Sequence, residues 1–163
     1  MTGVGRTLVR EHVHRIVGRP AVVFPLLCPV REDDWIDGWA ERRRLAQTAS
    51  GVAELGCVFL TQHPGSPDVT WVCTRYEPDH FIEYVRVWPG EEVVTLAITV
   101  RPEGAVSEVR IRHLVVPLPG ADEPALERRW SAAEFDPSMH WWELSMNHFL
   151  TTGELLRHRE IPA

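Results

Sequence analysis

The chain contains no lysine: all 17 of its basic residues are arginine. That excludes a Schiff-base lysine, a pyridoxal-phosphate lysine and the phosphate-gripping lysine of a P-loop. Each of those chemistries needs a primary amine, which a guanidinium does not supply. Cysteine is scarce. Cys28, Cys57 and Cys73 are an odd number, no two form a CxxC pair, and each sits among apolar neighbours. They read as reduced thiols buried as small hydrophobes, not as a disulfide framework. No window approaches the ~18–20 consecutive apolar residues of a membrane span, and Met1-Thr2-Gly3-Val4-Gly5-Arg6 lacks the apolar stretch of a signal peptide. A cytoplasmic location is therefore expected. There is no GxSxG elbow, no GxGxxG and no P-loop, so acyl-serine, dinucleotide and nucleotide chemistry lack support and no cofactor is implied. A net charge of −6 argues against a nucleic-acid partner. The one basic run, Arg42-Arg43-Arg44, reads as a solvated turn or edge strand.

What is present is an ordinary globular composition, 44% hydrophobic and 25% charged over 163 residues, which fits one domain spanning 1–163. Residues 6–17 alternate as a strand, with Val9, Glu11, Val13 and Arg15 on one face and Leu8, Arg10, His12, His14 and Ile16 on the other. Neither face is cleanly apolar, and exposed histidines are expected. Pro20, Pro25 and Pro29 forbid a long helix, so two short helical pieces follow, the second over 31–39. From 43 to 117 the pattern is β, with strands at 43–48, 57–62, 69–76, 81–88, 93–101 and 108–118. The gaps hold turn residues such as Pro89-Gly90 and leave no room for crossover helices, so the strands form an antiparallel meander. Val94, Leu96, Ile98 and Val100 share one face, as do Val109, Ile111, His113 and Val115; these are the expected core faces.

The tail is helical. A short helix is expected over 125–130. Ser131 and Glu134 have capping-box spacing, and Asp136-Pro137 offers a second start. Met139, Trp142, Met146, Phe149 and Leu150 make an apolar stripe, and the helix is expected to reach about residue 157.

The order strand, two short helices, six strands, long helix resembles the helix-grip arrangement. The stretch from Phe24 through Pro25, Leu26, Leu27, Cys28 and Pro29 to Glu32, with Trp35 and Trp39 following, looks like the first-helix region of bacterial SRPBCC proteins, the superfamily of START-related lipid carriers and polyketide cyclases. Trp71-Val72, Arg75-Tyr76-Glu77-Pro78 and Asn147-His148 resemble later parts of the same pattern. The resemblance implies an α+β fold: a seven-stranded curved antiparallel sheet around a long C-terminal helix, with a ligand cavity between them. Pro137 departs from it, because a proline there is expected to interrupt or delay the helix. The seven tryptophans, Trp141-Trp142 among them, are expected to narrow the cavity.

The expected partner is a small hydrophobic molecule, with a homodimer left open. Phe24, Leu27, Trp39, Trp71, Tyr84, Trp88, Ile98, Ile111, Trp142 and Met146 are the expected walls. His113, inward among aliphatics, and Arg86 are the candidates for acid/base and oxyanion roles if the cavity does chemistry. That reading depends on Tyr84, Arg86 and Trp88 facing inward; the alternative turns Phe81, Glu83, Val85 and Val87 in. Cys28, Cys57 and His148 are an outside option for zinc, with Glu32 able to join them or to cap its helix. His12 with His14, and His140 with Glu143, are weaker pairs, the latter expected on the surface. A third role, protein interaction, would use an exposed patch around Trp35 and Trp39.

Overall fold

The computed structural model describes residues 6–158; Met1 to Gly5, on which the signal-peptide reading rests, lie outside them. The elements are β1 (Leu8–Val17), α1 (Pro20–Val23), 3₁₀ turns at Phe24–Leu27 and Arg31–Asp34, β2 (Arg43–Gln47), β3 (Val58–Thr61), β4 (Val69–Glu77), β5 (Phe81–Trp88), β6 (Glu92–Glu103), β7 (Val106–Pro117), α2 (Glu123–Arg129) and α3 (Ala132–Thr152). All seven strands form one antiparallel sheet in the order β1-β7-β6-β5-β4-β3-β2. From β2 to β7 each strand pairs with the next, and β7 comes to lie beside β1 at the edge opposite β2. This is the helix-grip architecture expected from the sequence.

The longest hairpin shows how pattern becomes register. β6 pairs with β7 from Glu92↔Pro117 to Glu103↔Val106. Only Gly104 and Ala105 separate the two strands, and Gly104 takes φ +62° to close so tight a turn. That register puts Val94, Leu96, Ile98 and Val100 on the buried face with Val109, Ile111, His113 and Val115. A slip of one residue would expose all of them. On β5 the buried residues are Ile82 and Tyr84, so the Tyr84–Arg86 side faces inward.

β1 departs from expectation. His14 is buried, as is Ile16, because α3 lies along this outer strand. The Glu143 carboxylate accepts the Arg15 N–H at 2.8 Å. Asn147 accepts the Val17 N–H at 2.8 Å and donates to the Arg15 carbonyl at 3.0 Å. These side chains satisfy backbone groups that a free sheet edge would leave open. Glu143 is thus tied to the sheet and is not half of a surface pair with His140. The opposite edge, β2, begins with Arg43, held to Asp33 by two bonds of 3.0 and 2.5 Å.

Two helix boundaries also differ. Pro137 lies inside α3 and does not interrupt it. Only one early hydrogen bond is lost there, and burial of Phe135, Met139 and Met146 holds the helix through the gap. The helix stops at Thr152, short of residue 157, because Gly153 adopts a left-handed cap (φ +76°) and donates its N–H to Phe149 O at 2.7 Å. Ser131 is the N-cap, yet its side chain makes no capping bond. Among the described residues no helix is long and apolar enough to cross a membrane.

Candidate functional site

A cavity of about 700 Å³ lies between the concave sheet face and α3, with α2 along one side. Its apolar wall is Ile36, Trp39, Trp71, Leu96, Trp130, Phe135, Met139 and Trp142. Each strand contributes through the alternation described above: Trp71 from β4, Leu96 from β6, His113 from β7. The rings are fixed by their polar ends. Trp71 donates to Thr61 Oγ1 at 3.0 Å and Trp39 donates to Pro29 O at 2.8 Å. Trp71 also stacks on Phe59 with ring centres 5.3 Å apart. The exposed lining residues, Arg42, Arg128, Glu134 and Ser138, form the mouth.

His113 and Arg86, the two residues singled out for chemistry, both line this cavity. The His113 ring sits 5.2 Å from Trp130 and 5.3 Å from Phe135, centre to centre, and its Nδ1 has no partner. Burial, reinforced by the Arg86 charge, pushes its pKa down to about 3. The imidazole is therefore neutral at pH 7, with one donor and one acceptor to offer. Arg86 lies between two indoles, 5.4 Å from the Trp71 ring centre and 5.5 Å from that of Trp130. Its Nη2 bonds Glu92 Oε1, while its Nε is buried without an acceptor. Burial lowers the Arg86 pKa and Glu92 opposes that shift.

Glu92 is the residue the sequence reading missed. It is fully buried. It accepts the Trp130 indole N–H at 2.7 Å through Oε2, and Arg129 Nη1 lies 3.5 Å from the same oxygen. Arg129 in turn rests over Trp88, 4.2 Å from its centre, and His63 stacks on the same indole at 4.9 Å. The signal was available: Glu92 is two residues before Val94, so strand periodicity puts it on the inner face. The strand expected at 93–101 starts one residue too late to include it; β6 begins at Glu92.

The expected wall was too broad. Trp39, Trp71 and Trp142 line the cavity, and Trp88 backs it through Arg129 and His63. Leu27, Tyr84, Ile98, Ile111 and Met146 are packed core instead, because α1 and the 3₁₀ turns fill the other end of the sheet. There Tyr84 donates to Leu27 O at 3.0 Å. Phe24 lines a separate cavity of about 150 Å³ with Cys28, Arg31 and Tyr76. The exposed Trp patch is absent: Trp35 is fully buried, donates to Leu26 O at 2.8 Å and meets Trp142 edge-on at 5.7 Å. Trp39 is half-buried.

Among the described residues no group of three or more histidine, cysteine or acidic side chains is placed to hold a metal ion, so Cys28, Cys57 and His148 do not form one. Cys28 Sγ accepts the Ala53 N–H at 3.0 Å. Cys57 and Cys73 face each other across β3 and β4. The Cys73 thiol stabilises the Cys57 thiolate and takes its pKa to about 6, while Cys73 is driven up. Glu32 is buried, and burial, with Asp33 adding repulsion, raises its pKa to about 8, so it sits in the fold as a neutral acid.

The sequence matches no family model and no curated protein. Solved structures do resemble the fold. DynU16, from the dynemicin biosynthetic locus, aligns at TM-score 0.63 and 12% identity, covering 90% of this chain and 48% of that one. The di-domain ARO/CYC StfQ of the steffimycin pathway aligns at 0.59 and 16%, covering 90% and 52%. The Aha1 dimer from Colwellia psychrerythraea aligns at 0.58 and 13%, covering 90% and 98%. This chain spans about half the length of the first two. With its seven-stranded antiparallel sheet and long C-terminal helix α3, the chain has a helix-grip fold, the fold it shares with these structures.

Proposed function

We propose that this protein binds a small, flat, largely apolar molecule in the cavity between its sheet and α3. One observation carries the reading: about 700 Å³ remain open where four tryptophans, Phe135 and Met139 converge, although those side chains are large enough to fill it. A pocket of this size, mostly apolar with a few polar groups, suits a drug-sized ligand. Burying ~200 Å² of aromatic surface contributes about 5 kcal/mol at 25 cal/mol per Å², which corresponds to affinities of roughly 0.2 mM before any polar contact. The test uses Trp130 and Trp142 as reporters. A three-ring aromatic is expected to quench tryptophan fluorescence saturably. Ser138→Trp, which blocks the mouth from an exposed position, should abolish the quench without changing the melting temperature. Quenching that survives the block would place the ligand elsewhere.

A second reading, a polyketide-cyclase-like enzyme, is favoured by the meeting of His113 and Arg86 in one cavity and by the ARO/CYC named above. In that role the walls fold a poly-β-ketone chain, Arg86 receives an enolate oxygen, and neutral His113 accepts or relays a proton as water is lost. The expected result is that His113→Ala keeps the fold and the binding of an aromatic probe but loses ring formation from a poly-β-ketone thioester, followed by the rise of aromatic absorbance. Equal turnover by that variant would leave binding as the whole function.

A further inference from the structure

The polar corner of the cavity is short of acceptors. Two guanidiniums, Arg86 and Arg129, converge on one buried carboxylate, Glu92. Both oxygens of Glu92 are already taken, Oε1 by Arg86 Nη2 and Oε2 by the Trp130 indole. Arg86 Nε and Arg129 Nη1 are left as buried donors without a hydrogen bond. Buried donors normally find partners, and charged donors are the costliest to leave open. The second acid nearby, Glu91, reaches only Arg129 Nη2, at 3.5 Å on the solvent side. The charge surplus extends outward. At the mouth Arg42 and Arg128 outnumber the one lining acid, Glu134, and neither has a carboxylate within 4.0 Å among the described residues, although the chain as a whole carries −6. His63, beside them, is held below its usual pKa by burial and by Arg42, Arg86 and Arg129.

We infer that the ligand is an aromatic carboxylate, its acid group received by Arg86 Nε and Arg129 Nη1 and its rings held against Trp71, Trp130 and Trp142. This rests on the cavity-binding reading above. A carboxylate fits where a neutral oxygen would not suffice: it supplies acceptors for two donors and one negative charge for a corner whose single buried acid is shared. A monoanion fits better than a phosphate, because most of the wall is apolar and strips water from whatever enters. Arg42 and Arg128 then raise the local concentration of anions at the entrance.

The experiment compares anthracene-2-carboxylate with 2-(hydroxymethyl)anthracene, matched in size and differing in charge, by tryptophan quenching at pH 7. The carboxylate is expected to bind at least tenfold more tightly. Arg129→Gln should reduce that preference below threefold, with Arg101→Gln, exposed near the end of β6 and outside the cavity lining, leaving it within twofold of the parent. Equal binding of the two probes, or tighter binding of the alcohol, overturns the anion inference and leaves the cavity reading standing. Binding of neither overturns both. A preference untouched by Arg129→Gln but lost in Arg128→Gln moves the acid group to the mouth and overturns the assignment. The comparison on the unaltered protein decides the matter even if Arg129→Gln fails to fold.

Discussion

The indole N–H of Trp130 and the carboxylate of Glu92 meet at 2.7 Å in a fully buried contact. It joins the end of α2 to the first residue of β6 and positions Arg86 from the other side. Glu92→Ala would leave the Arg86 charge buried and unpaired, a loss of about 3–5 kcal/mol. Replacing both partners, Arg86→Met with Glu92→Leu, removes the charge as well as its mate and should recover most of that. Urea unfolding of the three proteins provides the comparison. A double variant as unstable as Glu92→Ala would mean that the Trp130 contact, not the ion pair, carries the stability.

Asn147 makes two hydrogen bonds to the outer edge of β1, one as acceptor from Val17 and one as donor to Arg15. Asn147→Ala should cost about 1–3 kcal/mol. It should also speed amide exchange at Val17 ahead of the strand interior, because the backbone group it covered becomes open to water. Asn147→Asp keeps the acceptor and loses the donor, so its stability is expected to fall between the two. Unchanged exchange at Val17 would contradict the edge-capping role.

How far the sequence reached follows from the kind of information each feature needs. His113 and Arg86 were found by counting in twos along a strand, and the count is local. Glu92 obeys the same count but sits beside a turn, where a charge reads as solvated. Its partners Trp130 and Arg129 arrive on α2, whose docking is a tertiary fact with no periodic signature. Periodicity also does not separate wall from core. Ile98 and Ile111 face inward as surely as Leu96, and only the filling of one end of the sheet by α1 and the 3₁₀ turns decides which of them meet empty space. His14 was misjudged for a related reason. Its strand has no apolar face of its own, and the cover comes from α3, more than a hundred residues later.

Pro137 gives a clean test of propensity against packing. It interrupts the hydrogen-bond ladder of α3 close to its start, and the helix persists. Pro137→Ala restores the missing N–H and removes the ring clash, so stability should rise by about 1–3 kcal/mol, seen as a higher melting temperature. A fall would show that the proline ring itself packs at this position in a way alanine does not replace.

Three buried groups set opposing pH limits. His14 is driven down to about 4, by burial first and by the neighbouring His12 next, against the pull of Glu143; His113 falls to about 3. Once unfolded, both return to about 6.5 and take up protons that the folded protein refuses. Their contribution is therefore whole above pH 6.5 and is lost as pH falls, at up to about 1.4 kcal/mol per pH unit for each. Glu32 runs the other way. Folded, it keeps its proton to about pH 8; unfolded, it gives it up near 4.5, so its contribution declines as pH rises across that window. Near pH 6.5 two half-protonated unfolded histidines balance one fully protonated native carboxyl, and the slopes cancel. Stability from urea unfolding at pH 4.5–8.5 should peak close to pH 6.5. Glu32→Gln should flatten the alkaline limb and steepen the acid one between about pH 4.5 and 6.5, because the amide has no proton to lose and no longer offsets the histidines. His14→Phe should leave the acid limb nearly flat between about pH 5 and 6, because the one remaining ring is then offset by Glu32. An alkaline limb that persists in Glu32→Gln would mean that this carboxyl is ionised in the folded protein after all.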